Sequence, residues 1–208
     1  MIRLAFCVED DSDERIFVAL LKRLSSVHVE ADPDARVARR RGGGRAAALA
    51  LAPKVATTAW QRGLDGAVFA IDNDGAPEHE DGHDGVALQC SWCQLVAALR
   101  PVAWTTTAPR PPKTPAIWIV AVPVQTLESW LLLARGTALL PTPSERGRTG
   151  GDRRELKRLL YGVVDADRER RLSVALPLAE ALDSSELSRR SPSFRTFADQ
   201  VRRLIPSP

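Results

Sequence analysis

The chain has 208 residues, 44% hydrophobic and 26% charged, with a formal net charge of +3. Such values describe an ordinary globular protein with one substantial core and exclude extended disorder. No apolar run approaches the ~18 residues that span a bilayer, and the acids after Val8 leave no room for a signal-peptide core, so a cytoplasmic protein without a membrane partner is expected.

Ile2, Leu4, Phe6 and Val8 alternate with smaller or polar neighbours and predict a first strand that runs into the acidic loop EDDSDE. Ser12 is expected to cap the following helix, in which Ile16, Phe17, Leu20, Leu21 and Leu24 recur at helical spacing. VHVEA at 27–31 reads as a short second strand, and three glycines at 42–44 precede an Ala-rich helix over about 45–62. AVFAI at 67–71 is a continuous apolar run of buried-strand type that leads into Asp72. A polar loop at 75–85 is followed by a predicted helix over 86–99, and the Pro-rich stretch 101–115 reads as a connection. AIWIVAV at 116–122 is the clearest strand, and Pro123 separates it from the helix TLESWLLLA. From about 141 a polar link leads into purely helical patterns over roughly 152–161, 166–183 and 193–204.

Strands alternating with helices predict an α/β fold whose mainly parallel sheet is covered on both faces. The expected organisation is one domain over 1–140, with a linker and helical C-terminal extension over 141–208 packing on it. Trp118 and Trp130 fall within strand and helix patterns and are expected in the core. The three cysteines, one of them in the first strand, suit a reducing compartment better than a disulfide framework.

The charges are unevenly placed. Acids gather at 9–14 and 72–84, both after predicted strands, and in an open α/β sheet ligands bind beyond the carboxyl ends of strands. A hard divalent cation such as Mg²⁺ takes oxygen ligands and uses one or two carboxylates plus substrate phosphate. Glu9, Asp72 and Asp74 supply such oxygens. In D-x-D on extended backbone, Asp72 and Asp74 point the same way and Asn73 points elsewhere; the competing reading is a turn held by side chain to backbone hydrogen bonds. Arg39, Arg40, Arg41 and Arg45 surround the three glycines and suit a phosphate-binding cradle, or else a solvated basic loop. His79, His83, Cys90 and Cys93 have the residue types of a structural Zn²⁺ site. Because Cys90 and Cys93 fall inside a predicted helix, core packing is the preferred reading for them.

The pattern V-E-D-D-S-D before a helix, with a later strand ending I-D-N-D-G, resembles the TOPRIM domain, and V-P-V-Q-T-L-E-S-W-L-L with S-P-S-F-R-T-F is similar to the small RloB-like and related TOPRIM proteins of bacterial phage-defence loci. Glu9, Ser12 and Asp13 match the first motif and Asp72 and Asp74 the second, while Asp10 stands where Gly is usual. The resemblance implies a Rossmann-like TOPRIM sheet and a Mg²⁺- or Mn²⁺-dependent nuclease acting on DNA or RNA in anti-phage defence, beside a partner ATPase. It implies Asp72 and Asp74 as catalytic metal ligands and Glu9 as ligand or general base. Glu128 becomes a further candidate ligand, and Asp13 a supporting residue or helix cap. The alternative is a non-catalytic TOPRIM-fold subunit that docks an ATPase or nucleic acid. Topoisomerase chemistry needs a nucleophilic tyrosine, and Tyr161, the single tyrosine, lies in the helical tail without supporting context. A primase needs a zinc module and a larger catalytic region than this length accommodates.

Overall fold

The computed structural model describes residues 1–8, 11–35, 44–73, 90–100, 117–123, 126–136 and 151–205. Its centre is a four-stranded parallel sheet in the order β2-β1-β3-β4, built from β1 (Ile2–Cys7), β2 (Val29–Ala31), β3 (Gly66–Ala70) and β4 (Ile117–Ala121). The helices are α1 (Asp11–Ser25), α2 (Gly44–Gln61), α3 (Ser91–Leu99), α4 (Leu127–Ala134), α5 (Gly151–Tyr161), α6 (Arg168–Ala181), α7 (Ser184–Arg190) and α8 (Pro192–Leu204). No helix among the described residues is long and apolar enough to cross a membrane.

Strand periodicity decides the two faces. Leu4, Phe6 and Val8 of the first strand region, with Val68 and Ala70 of β3, belong to a core shared with α1, α4, α6 and α8; Ala5, Cys7, Ala67, Phe69 and Ile71 belong to a second core shared with α2. The handedness of parallel crossovers accounts for this division. The path from β1 to β2 runs toward one edge and the paths from β2 to β3 and β3 to β4 run toward the other, so right-handed connections put α1 on one face and α2 and α3 on the opposite one.

The C-terminal helices complete the first core. Ser191 caps α8 by accepting from the Phe194 N–H at 3.1 Å, and Pro192 occupies the first turn, where its missing N–H costs nothing. This start aims Phe194 and Phe197 at Trp130, with ring centroids 5.2 and 5.4 Å from it, and Phe17 of α1 lies 5.8 Å from Phe197. The Trp130 indole donates to Ser193 Oγ at 2.8 Å. The S-P-S-F-R-T-F segment is thus the receptor of the tryptophan in E-S-W-L-L. At the β4 edge, Gln200 of α8 imitates a neighbouring strand: its Oε1 accepts from Val120 N–H at 3.1 Å and its Nε2 donates to Val120 O at 2.9 Å. The pairing satisfies two buried backbone groups that the edge would otherwise leave open.

Several local expectations change. Ser12 lies within the first turn of α1 and does not cap it, because α1 already begins at Asp11. The helix expected from residue 86 begins at Ser91, with Cys90 in extended backbone as its cap. The single helix expected over 166–183 ends at Ala181, and α7 follows as a separate helix capped by Asp183, which accepts from the Ser185 and Glu186 N–H groups. Asp183 with Glu186 three residues on was the available signal. The stretches 74–89, 101–116 and 137–150 lie outside the described residues.

Candidate carboxylate crevice at the sheet switch point

β1 and β3 are neighbours, paired from Leu4↔Gly66 to Cys7↔Phe69, and their outgoing connections diverge toward opposite edges of the sheet. In an open α/β sheet such a divergence marks the place beyond the carboxyl ends of the strands where ligands bind. Val8, which precedes Glu9 in the sequence, and Asp72 are the chain segments at those two ends. The backbone around Asp72 is anchored on both sides: Ile71 N–H donates to Ala121 O at 3.1 Å and Asn73 N–H to Pro123 O at 3.0 Å. Strand alternation therefore continues past β3. Asn73 is buried and Asp72 is half-buried, and Asp72 shares with Asp13, Phe17, Ala70 and Leu127 a cavity of about 10 Å³. That volume is on the scale of one water molecule or ion.

Asp13 stands in the first turn of α1, where the helix dipole favours a carboxylate. It is only 8% exposed, and Arg171 Nη2 of α6 lies 2.7 Å from its Oδ1. The Tyr161 side chain at the end of α5 lies within electrostatic reach of Glu128, Arg171 and Asp13. Glu128, in the first turn of α4, is 3% exposed, and its charge acts on Tyr161. Burial pushes the Tyr161 phenol far above its ordinary value and the Glu128 charge adds to the rise; Arg171 opposes it without reversing it. The phenol therefore stays protonated across the physiological range and acts as a hydrogen-bonding group.

Tyr161 corrects an expectation, since its surroundings are a buried ionic cluster and not a featureless tail. It is 2% exposed. Arg171 was visible in the sequence only as part of a basic run. The overlooked signal is its register: Ala175 and Ala179, four and eight residues further along α6, are fully buried, so a charged residue lies on the apolar stripe of its helix.

Glu9, Asp74, Arg39, Arg40, Arg41, His79 and His83 lie outside the described residues. Arg45 is in the first turn of α2, and the Cys7 thiol reaches Ala48 O of that helix at 3.8 Å, which puts the positive end of α2 beside the end of β1. Cys90 and Cys93 are both buried, and the Cys90 sulfur accepts from the Cys93 N–H at 3.3 Å as the cap of α3. Among the described residues, no group of three or more His, Cys, Asp or Glu side chains is arranged to hold a metal ion. The oxygens of Asp72, Asp13 and Glu128 are of the hard type that suits Mg²⁺ or Mn²⁺. No family model matches the chain, and neither a curated protein nor a solved structure matches it.

Proposed function

We propose that the crevice is the active site of a Mg²⁺- or Mn²⁺-dependent nuclease of TOPRIM type. The observation that carries this reading is the cavity shared by Asp72 and Asp13 at the point where the connections of β1 and β3 diverge. The spacing of the acidic motifs adds Glu9 and Asp74 to the set. Asp72, Asp74 and Glu9 would hold the cation, with Glu128 contributed from α4. When bound, the cation polarises the phosphodiester and lowers the pKa of an attacking water. Arg45 and the N-terminal end of α2 offer positive charge to a phosphate at the rim, and the arginines at 39–41 extend the same basic segment. The burial of Tyr161 supports water as the nucleophile, and hydrolysis as the reaction, within this reading. Service in anti-phage defence beside an ATPase follows from the resemblance to RloB-like proteins.

A non-catalytic binding subunit is the second reading, favoured by the ion pair that already neutralises Asp13. The test is an assay of the purified chain against supercoiled DNA, linear DNA and tRNA with Mn²⁺. Cleavage by the wild type and its loss by more than about 100-fold in Asp72→Ala and Glu9→Ala are expected. Metal-dependent cleavage that survives both substitutions would sink the assigned site. Absence of cleavage on every substrate, with tight binding to an ATPase, would favour the second reading.

A further inference from the structure

We propose that the outer face of α5 is a phosphate-binding row, on which Arg154, Lys157 and Arg158 hold the backbone of a nucleic acid at the flank of the crevice. The identity of the ligand rests on the nuclease reading above, while the row itself rests on the helix.

α5 is amphipathic. Leu156 and Leu160 are buried, Arg154 and Arg158 are exposed, and Lys157 is half-buried. Spacings of three and four residues set the three cations side by side on one face. Among the described residues, none of the three has an ion pair or a side-chain hydrogen bond. By contrast, Arg170 Nε donates to Tyr161 O at 2.5 Å and Arg190 Nη1 to Leu133 O at 2.9 Å, Arg171 Nη2 lies 2.7 Å from Asp13 Oδ1, and Arg189 and Arg202 pair with Glu186 and Asp199. The grouping on α5 works against the helix. Like charges at these spacings repel, and Arg154, in the first turn, stands at the positive end of the dipole. A polyanion laid on the row reverses both penalties, and each phosphate neutralised releases counterions. The guanidinium fork also matches phosphate geometry.

Placement supports the same ligand. The row continues at helical spacing to Tyr161, four residues beyond Lys157 and three beyond Arg158. Arg170 holds the Tyr161 carbonyl, and the next residue, Arg171, reaches Asp13, which lines the cavity with Asp72. The cations thus stand on a helix whose end adjoins the proposed site.

The measurement is binding of a fluorescein-labelled DNA duplex, the matching single strand and tRNA, by anisotropy in EDTA across a salt series, so that neither metal nor cleavage enters. Wild type is expected to bind at least one of them. Arg154→Gln/Lys157→Gln/Arg158→Gln is expected to weaken that binding by about 100-fold at about 0.1 M salt and to reduce the slope of log K against log salt by about 2–3. The control Lys22→Gln/Lys54→Gln/Arg203→Gln removes the same charge from exposed positions on three different helices and is expected to stay within about threefold. Relief of repulsion is expected to leave the melting temperature of the α5 variant unchanged or higher. Should that variant fail to fold, Arg158→Gln alone carries the test through a slope change of about 0.7–0.9. Equal losses in the two triple variants, an unchanged slope, or a wild type that binds none of the probes overturns the row. Polyglutamate that competes as strongly as unlabelled DNA also overturns it and points to an acidic protein partner. The nuclease reading is tested apart from this: a wild type that binds through the row and cleaves nothing overturns the nuclease and leaves the row standing, whereas cleavage lost in Asp72→Ala, with binding unaffected by the α5 substitutions, keeps the nuclease and overturns the row.

Discussion

The two faces of the sheet are built on different principles. On the α1 face, Trp130, Phe194, Phe197 and Phe17 fill the space between helices with large rings, and the ionic cluster of Asp13, Arg171, Tyr161 and Glu128 lies at the end of that layer. On the α2 face, Ala48, Ala52, Ala56 and Ala59 present a stripe of small side chains to Ala5, Ala67 and Phe69, so the helix rides close on the strands. The rim of that face is held by charge. Asp32, at the end of β2, pairs with Arg3 and Arg62 and accepts from the N–H groups of Asp34 and Ala35. The contrast is one of filling: large rings on the α1 face stand beside the ion pair of Asp13 and Arg171, while small alanines on the α2 face leave the buried Asp32 to the rim, where the partly exposed Arg3 and Arg62 reach it.

The largest expected effect is on the aromatic side. Trp130→Ala empties the centre of the ring cluster and leaves Ser193 without its donor, so a loss of about 3–5 kcal/mol is expected in urea unfolding. A loss below about 1 kcal/mol would mean that α8 docks by other contacts. The thin face fails in the opposite direction. Ala56→Leu adds volume where α2 meets the sheet and is expected to cost about 1–3 kcal/mol by overpacking, whereas a neutral or stabilising result would show that the alanine layer has slack.

The smallest effect belongs to the charged rim and is read through pH. Burial tends to raise the Asp32 carboxyl, but Arg62, the Asp34 N–H and Arg3 together outweigh it and hold the group below 3.8. A depressed folded pKa contributes stability that is full above the ordinary carboxylate value and is lost as the pH falls through the folded one. Asp32→Asn is therefore expected to lower stability by about 1–2 kcal/mol at pH 7, discounted because Arg3 and Arg62 are partly exposed, and to lose that difference on acidification below the ordinary value of 3.8. Parallel pH curves for wild type and variant would remove Asp32 from the account of acid sensitivity.

Much of this architecture was legible because it depends on local periodicity. Alternation in Leu4, Phe6 and Val8 and the apolar runs before Asp72 and Pro123 identify parallel strands, and helical spacing in α1, α2 and α8 identifies their partners. The acids at strand ends follow from the same reading, since the end of a strand is a feature of one segment. α7 escaped because its capping signal lies inside a longer helical pattern, and the start of α3 shifted because a cysteine cap is a weak signal beside Ser, Asp or Asn.

Tertiary structure alone decided which distant residues share a charge. Asp13 and Arg171 are 158 positions apart, Val120 and Gln200 are 80 apart, and nothing in the spacing of either pair encodes the contact. The sequence by itself determined an α/β chain with carboxylates at the carboxyl ends of its strands, because hydrophobic periodicity is set residue by residue. The strand order β2-β1-β3-β4, the cavity between Asp13 and Asp72, and the cation that α6 carries to Asp13 were decided by packing, because burial makes charge compensation a property of whichever helices meet.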